Sequence, residues 1–214
     1  MGELKLKEKQ NSQKEEKILI KDVAGAILAG GKSKRFGSDK RFFKINGKTL
    51  LEIMCEKLRA VFESKYISTE KNFEIKLSEN KIEIPDFKIV YDKYHDIGPI
   101  SGIVSVLNEI PEIGCVFVPC DMPFLPEKIL FFLSEFKEFD IVYFNLNGKI
   151  YPIPGYYSKN LIPKIEKMIS QGIFALKYLT QNYKGKKLEV GEKEFEKLGA
   201  KIEDMKNINE IKDI

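Results

Sequence analysis

The chain has 214 residues, with 36 basic and 32 acidic side chains and a formal net charge of +4. Hydrophobic residues make up 43% of it, and 15 Phe and 9 Tyr supply large side chains for a core, so the composition favours a folded domain over a disordered chain. No apolar run approaches the roughly 18–20 residues that span a bilayer, and the beginning of the chain lacks the apolar stretch of a secretion signal.

The three cysteines and the single histidine restrict the chemistry of the chain. They are too few for a disulfide framework and lack the paired spacing of zinc ligands. A catalytic mechanism with a serine or cysteine nucleophile and a histidine base would have to use His95. The basic residues are dispersed among acidic ones rather than gathered in a stripe. We therefore expect a cytoplasmic protein that binds neither nucleic acid nor membrane.

The beginning of the chain differs in pattern from the rest. Residues 1–17 are charged and offer few apolar side chains, so we expect a flexible tail, with a short helix as the alternative. Residues 18–214 carry regular hydrophobic patterns and are expected to form one domain.

Strand-like and helix-like segments alternate after the tail. The apolar runs 18–20 and 23–28 predict a buried strand that ends at a pair of glycines. Thr49 and Glu52 form a capping box ahead of a helix. Further strands are predicted at 65–69, 87–91 and 115–118, the last as a central strand, and further helices from Pro99 and from Pro126.

The later part of the chain predicts a hairpin and more helix. Asn147-Gly148 joins the strand-like runs 140–146 and 149–157, which is the strongest short signal for a β-hairpin. Helical patterns cover 158–171 and 173–182, and the last thirty residues are mixed. The sequence therefore predicts the α/β class, as a single Rossmann-like domain with an open, mostly parallel sheet and a late antiparallel hairpin. In such sheets ligands bind beyond the carboxyl ends of the strands.

The first predicted strand runs directly into a glycine-rich basic segment, LAGGKSKRFGSDK, at residues 28–40. Glycines let backbone N–H groups approach phosphate closely, and four cations follow them within the segment. These cations are Lys32, Lys34, Arg35 and Lys40. The combination indicates a triphosphate-binding loop.

A P-loop is an alternative interpretation of the same residues. Residues 26–33 satisfy a permissive P-loop pattern, and Cys115–Asp121 resembles its acidic strand. However, Ile27 and Leu28 continue the apolar strand at positions where a P-loop turns. We therefore expect Lys40, rather than Lys32, to be the lysine that nucleotide binding requires.

Two carboxylates follow other predicted strands. Asp121 lies between Pro119 and Pro123 and is placed to hold Mg²⁺ against phosphates, with turn capping as the alternative. Asp92 is placed to accept hydrogen bonds from a base or ribose, with a simple turn role as the alternative. Cys120 is expected to fill space rather than act as a nucleophile.

Together these motifs resemble the molybdenum cofactor guanylyltransferase group of nucleotidyltransferases. The family pattern L-A-G-G-x-S-x-R-M-G-x-D-K is present with Phe36 in place of Met. The family's D…G-P-L-A-G is similar to Asp92 followed by GPISG, and its C-D-x-P to residues 120–123. Its C-terminal N-x-N-T-P-E-D-L is similar to residues 207–214, whereas its His-Pro-Thr is replaced by Tyr-Pro-Ile at 151–153.

The resemblance implies an enzyme that transfers GMP from GTP to the phosphate of molybdopterin, with Mg²⁺ as cofactor. It implies catalysis by Arg35, Lys40 and Asp121, with Asp121 as the metal ligand. The nucleotide-binding residues that it implies are Leu28, Ala29, Gly30, Gly31, Lys40, Ser68, Asp92 and Asp121, with Ser68 at the position of a family Asn. We expect a monomer or weak homo-oligomer that makes transient contact with other cofactor-biosynthesis proteins.

Three alternatives stay open at this point. A related enzyme would transfer CMP, or act on another small phosphate, because base choice rests on a few hydrogen bonds. A P-loop NTPase or kinase would depend on Lys32. A nucleotide sensor would bind a triphosphate without releasing pyrophosphate.

Overall fold

The computed structural model describes residues 19–30 and 39–208, and every structural statement below concerns these residues. The strands are β1 Ala24–Leu28, β2 Lys44–Ile45, β3 Lys48–Thr49, β4 Lys65–Thr69, β5 Lys88–Tyr91, β6 Gly114–Pro119, β7 Ile141–Leu146, β8 Lys149–Ser158 and β9 Lys187–Val190. The helices are α1 Leu50–Arg59, α2 Phe73–Glu79, α3 Pro99–Glu109, α4 Glu127–Glu135, α5 Ile162–Ser170, α6 Leu176–Asn182 and α7 Glu192–Lys197. None of these helices has the length and apolar character needed to cross a membrane.

Seven strands form one sheet in the order β5-β4-β1-β6-β8-β7-β9. Strands β5, β4, β1 and β6 run parallel, β8 is antiparallel to both β6 and β7, and β9 runs parallel to β7. The α/β class, the mostly parallel sheet and the late antiparallel hairpin are therefore confirmed. The chain moves outward from β1 to β5 and then returns to place β6 on the other side of β1, so the strand order reverses between β1 and β6. Ligands of open α/β sheets bind at such a reversal.

The sheet separates two hydrophobic cores. Along β6, Val116 and Val118 belong to one core, whereas Cys115 and Phe117 belong to the other. Helices α1, α2, α4 and α7 cover the first face, and α3, α5 and α6 cover the second. This three-layer arrangement explains why β6 is apolar on both faces.

Local signals predicted several elements correctly. Glu52 N donates to Thr49 Oγ1 at 3.2 Å, and Thr49 N donates to Glu52 Oε2 at 2.8 Å, which is the predicted capping box at the start of α1. Asn147 and Gly148 adopt φ of 50° and 73°, as a tight hairpin turn between β7 and β8 requires.

Other expectations were wrong in detail. The run 18–20 contributes only a bridge from Ile20 to Phe62 among the described residues. The predicted helix 158–171 begins with a 3₁₀ turn and becomes α-helical at Ile162, and the pattern 173–182 becomes helical only at Leu176, because Gly172 turns the chain with φ of 71°. Strand β9 and helix α2 were not predicted.

The P-loop alternative was also wrong. Ile27 pairs with Ile67 of β4 and Val118 of β6, and Leu28 pairs with Ser68 and Pro119. Residues paired on both sides within a central strand cannot form the turn that a P-loop needs at these positions.

Candidate functional site

A cleft of about 1070 Å³ opens beyond the carboxyl ends of β1, β4 and β6. Its volume lies just above the roughly 300–1,000 Å³ typical of small-molecule sites. Seven of the predicted site residues line it, namely Leu28, Ala29, Gly30, Lys40, Ser68, Asp92 and Asp121. Gly31 and Arg35 lie outside the described residues. The fold therefore brings predicted residues from four separate segments of the sequence into one cleft.

Lys40 and Asp121 form an ion pair in the lining of this cleft. Lys40 begins a 3₁₀ turn, Lys40–Phe42, while Asp121 lies two residues after the end of β6. Lys40 Nζ donates to Asp121 Oδ2, and the Asp121 side chain is only 10% exposed. The main-chain carbonyl of Asp121 accepts from Ile208 N at 2.9 Å, so the C-terminal segment fixes it from behind. The cleft is thus lined by one cation and one carboxylate in direct contact.

Asp92 and Ser68 form a second pair inside the cleft. Asp92 follows β5 and Ser68 lies near the end of β4, and Ser68 Oγ donates to Asp92 Oδ1. Burial raises the pKa of Asp92, with help from the charge of Glu70, while the Ser68 hydrogen bond and His95 lower it. The net effect is a raised pKa, so this carboxyl ionises less readily than an exposed aspartate.

Two glycines lie so close to the pair of Ser68 and Asp92 that a larger side chain would not fit. A Cβ at Gly30 would lie 2.8 Å from Asp92 Oδ2, and a Cβ at Gly102 would overlap the Ser68 hydroxyl and lie 2.8 Å from Leu28 Cδ2. Gly102 therefore lets α3 pack directly against the ends of β1 and β4, and the first turn of α3 borders the cleft through Gly98 and Pro99.

A buried arginine that sequence reasoning missed lies behind the pair of Lys40 and Asp121. Arg41 Nη1 donates to Ala29 O at 2.7 Å and to Thr69 Oγ1 at 2.9 Å. Its guanidinium also binds Glu70 at 2.7 and 3.0 Å and Asp39 at 2.7 Å through Nε. Burial opposes the charge of Arg41, but the hydrogen bonds to Asp39 and Glu70 outweigh it and raise the Arg41 pKa above its usual range. The available signal was its place directly after the Asp-Lys pair of the basic segment.

Glu70 is held ionised by this arrangement. Burial acts to raise its pKa, but hydrogen bonds from Arg41 and from Lys76, at 2.8 Å, lower it to about 2. Two cations therefore neutralise Asp39 and Glu70 at the edge of the cleft, which reduces their repulsion of an anionic ligand.

The rest of the cleft is lined by residues from other parts of the chain, including Tyr94, His95, Ile153 and Asn207. His95 is exposed, as expected for its loop. Ile153 belongs to the segment that replaces the family's His-Pro-Thr, and Asn207 begins the C-terminal segment similar to the family's last motif. Cys120 is 4% exposed and burial raises the pKa of its thiol, in agreement with a space-filling role.

The sheet is doubly wound, and a basic segment follows β1. Carboxylates that follow two further strands line the same cleft. These features together are typical of nucleotide-binding α/β enzymes of the nucleotidyltransferase class. The comparisons with known proteins agree. The family model described as MobA-like NTP transferase domain matches residues 25–184. The chain belongs to this family.

Relatives and solved structures extend this result. The chain is 34% identical over 151 residues to a "Probable molybdenum cofactor guanylyltransferase" of Geobacillus sp. (strain WCH70), covering 69% of this chain and 75% of that protein. It is 35% identical over 162 residues to a protein of the same name from Thermococcus gammatolerans, covering 72% and 79%. The crystal structure of molybdopterin-guanine dinucleotide biosynthesis protein A from Archaeoglobus fulgidus shares the fold, with a TM-score of 0.74, 22% identity and coverage of 89% of this chain and 94% of that one.

Proposed function

We propose that this protein transfers GMP from GTP to the phosphate of molybdopterin and releases pyrophosphate, which forms the guanine dinucleotide cofactor. The observation that carries the proposal is the meeting of Lys40, Asp92 and Asp121 in one cleft where the strand order reverses. The names of the relatives support the choice of substrates.

The reaction needs no covalent intermediate with the protein. A phosphate oxygen of the acceptor attacks the α-phosphorus of GTP in line, a new P–O bond forms, and the bond to the bridging oxygen of pyrophosphate breaks. Lys40 exchanges its bond to Asp121 for the departing phosphates, whose negative charge it neutralises. From its place in the motif, Arg35 would assist Lys40 at the same phosphates. Catalysis then consists of positioning and charge neutralisation.

The donor set at Asp121 fits Mg²⁺. Magnesium is usually held by one or two carboxylates together with substrate phosphates and water, and a nearly buried carboxylate beside the phosphate-binding lysine matches that pattern. When bound, the ion would supply charge to the α-phosphate and the leaving oxygens. Within residues 19–30 and 39–208, no three His, Cys, Asp or Glu side chains cluster, so substrate oxygens would complete the coordination.

The nucleoside would lie against the pair of Ser68 and Asp92. Leu28, Ala29 and Gly30 end β1 at the same edge of the cleft, and Gly31 continues the segment in the sequence. Asp92 would accept hydrogen bonds from guanine N1–H and its amine, or from the ribose hydroxyls. The remaining space beside Tyr94, Ile153 and Asn207 would take molybdopterin.

The cellular setting forms part of the proposal. Cys55, Cys115 and Cys120 are buried free thiols, which suits a reducing cytoplasm. We propose a monomer or weak homo-oligomer that binds GTP and molybdopterin, receives its acceptor through transient contacts with cofactor-biosynthesis proteins, and binds neither nucleic acid nor membrane.

The test is pyrophosphate release from each of four nucleoside triphosphates, with and without molybdopterin, in Mg²⁺ and in EDTA. We expect release from GTP only when molybdopterin and Mg²⁺ are both present, and slower but still measurable release in Lys40→Ala. A preference for CTP would instead identify a cytidylyltransferase. Binding of GTP without release under any condition would identify a sensor and overturn the proposal.

A further inference from the structure

We infer that Arg41 is a positioning residue, which holds together the two ends of the glycine-rich basic segment and thereby aims Lys40 at the phosphates. The inference rests on the proposed function for its catalytic consequence. It assigns a role to an arginine that the motif resemblance does not include.

The first step is the double attachment of one guanidinium. Ala29 and Asp39 lie near the two ends of the glycine-rich basic segment, residues 28–40. Arg41 Nη1 donates to Ala29 O at 2.7 Å, on the near side of that segment. Its Nε donates to Asp39 Oδ1 at 2.7 Å and its Nη2 donates to Asp39 Oδ2, on the far side. One side chain therefore sets the separation of the two ends.

The second step is that the guanidinium itself cannot shift easily. Its Nη1 and Nη2 bind the two oxygens of Glu70 at 3.0 and 2.7 Å, and Nη1 also reaches Thr69 Oγ1. Its Cζ lies 4.9 Å from the centre of the Phe73 ring, and the side chain is only 5% exposed. The contacts use all three guanidinium nitrogens, and a lysine, with one nitrogen and three donors, cannot replace such a planar fork.

The third step links this anchor to Lys40. Lys40 lies between Asp39 and Arg41 in a single 3₁₀ turn, in which Arg41 N donates to Asp39 Oδ1 at 3.3 Å and Phe42 N donates to Asp39 O at 3.1 Å. The backbone of Lys40 is thus fixed by its two neighbours while its ammonium group reaches Asp121. A displacement of about 1 Å in a positioned group can lower a rate by about 10²-fold, so this anchor matters for turnover.

A double-mutant cycle between Arg41 and Lys40 separates positioning from general stabilisation. The four proteins are wild type, Arg41→Lys, Lys40→Ala and the double variant. We measure kcat and KM for GTP by pyrophosphate release, and GTP affinity by calorimetry. We expect Arg41→Lys to lower kcat/KM about 10- to 100-fold when Lys40 is present, but less than about 3-fold when Lys40 is already Ala, with the same non-additivity in GTP affinity.

Arg59→Lys is the matched control. Arg59 also makes a two-nitrogen fork, to Asp86, with Nη2 to Oδ1 at 2.7 Å, and it stacks on Phe87 at 5.4 Å, but it does not line the cleft. We expect its kcat/KM to stay within about 2-fold of wild type. If Arg41→Lys does not accumulate as folded protein, Glu70→Gln replaces it in the cycle. This variant weakens the hydrogen bonds that hold Arg41 while keeping the shape of the Glu70 side chain. We then expect the same non-additivity with Lys40→Ala, but with a smaller fold-change.

The outcomes distinguish the inference from the proposed function. Equal losses in both Lys40 backgrounds would overturn the positioning role and leave Arg41 as a structural residue. If wild type released no pyrophosphate but GTP affinity still showed the non-additivity, the proposed function would fail and the positioning role would stand. Failure of wild type to bind any of the four triphosphates would overturn both.

Discussion

Individual side chains in the cleft are arranged in oppositely charged or hydrogen-bonded pairs. Lys40 is paired with Asp121, Ser68 donates to Asp92, and Arg41 binds Glu70. Each pair joins the end of one strand to a residue from another segment. Single substitutions should therefore reveal which of these pairs the proposed reaction uses.

Asp121→Asn tests the residue that we place on the metal. The substitution keeps the shape of the side chain and removes its charge, so we expect kcat to fall roughly 10²–10⁴-fold with little change in melting temperature. Pyrophosphate release is measured over a range of Mg²⁺ concentrations. Wild-type rates at ordinary Mg²⁺ would show that Asp121 is not the ligand.

Asp92→Ala tests how the nucleoside is contacted. If the carboxylate accepts from guanine, GTP affinity should fall more than ATP or CTP affinity, because adenine offers no matching pair of donors. If it binds the ribose, all three affinities should fall together. Calorimetric titration of the three triphosphates against both proteins distinguishes these results, and unchanged affinities would reduce Asp92 to a turn residue.

Glu70 predicts part of the pH dependence of stability. Its pKa in the folded protein is about 2, below its ordinary value of 4.5, so it stabilises the fold above about pH 4.5 and that contribution is lost as the pH falls towards 2. The side chain is 38% exposed, so after solvent screening we expect a contribution of about 1 kcal/mol. The free energies of unfolding of wild type and Glu70→Gln should therefore converge as the pH falls from about 4.5 towards 2. A constant difference would contradict this assignment.

At the scale of elements, the cleft depends on how closely α3 approaches the sheet. Helix α3 contributes Ile103 and Leu107 to one core, and its first turn borders the cleft. The contact is close because Gly102 faces Ser68 of β4 and Leu28 of β1. The packing of this helix and the geometry of the cleft around Ser68 are therefore coupled.

Gly102→Ala should separate the helix from the strand ends. The added methyl overlaps the Ser68 hydroxyl, so we expect a loss of about 1–3 kcal/mol in the free energy of unfolding, together with weaker GTP binding. Asn108→Ala, on an exposed position of the same helix, is the control and should leave GTP binding unchanged. Chemical denaturation and calorimetry measure the two effects. Wild-type stability in Gly102→Ala would mean that α3 can shift without cost.

For the molecule as a whole, the C-terminal segment returns to the site from the far edge of the sheet. The chain runs from β9, at the edge opposite β5, back to the end of β6, where Ile208 N donates to the carbonyl of Asp121. The Ile208 side chain is fully buried in the core shared with α1 and α4. The position of Asp121 therefore depends on residues near the end of the chain. The predicted tail, residues 1–17, lies outside the described residues and stays a prediction.

Ile208→Ala tests this long-range support. Truncation of a fully buried isoleucine should lower the free energy of unfolding by about 2–5 kcal/mol, and loosening of Asp121 should reduce kcat/KM beyond what the unfolded fraction explains. Ile75→Ala is the control, because Ile75 is 58% exposed and its truncation should change stability by no more than about 0.5 kcal/mol. An equal effect of both substitutions on kcat/KM would show that the C-terminal segment does not support the position of Asp121.

The amino-acid sequence alone was sufficient for those features that depend on neighbouring residues. The capping box of α1, the hairpin turn at Asn147-Gly148 and the alternation of strands and helices are local patterns. The expectation that ligands bind beyond the carboxyl ends of parallel strands then placed Gly30, Asp92 and Asp121 together, and these residues line one cleft because parallel strands end at the same edge of a sheet.

Only the tertiary structure decided which distant groups meet. Arg41 binds Ala29 and Glu70, β9 pairs with β7, and Ile208 contacts Asp121, yet none of these partners is marked by composition or spacing. The physical reason is that such contacts form only when the packed core brings together segments far apart along the chain, and a charged or short segment is equally compatible with solvent until that core exists. The sequence by itself therefore determined the class of fold and most of the residues that were expected to line one cleft, whereas packing decided the partners of Arg41, the edge of the sheet and the contact between Ile208 and Asp121.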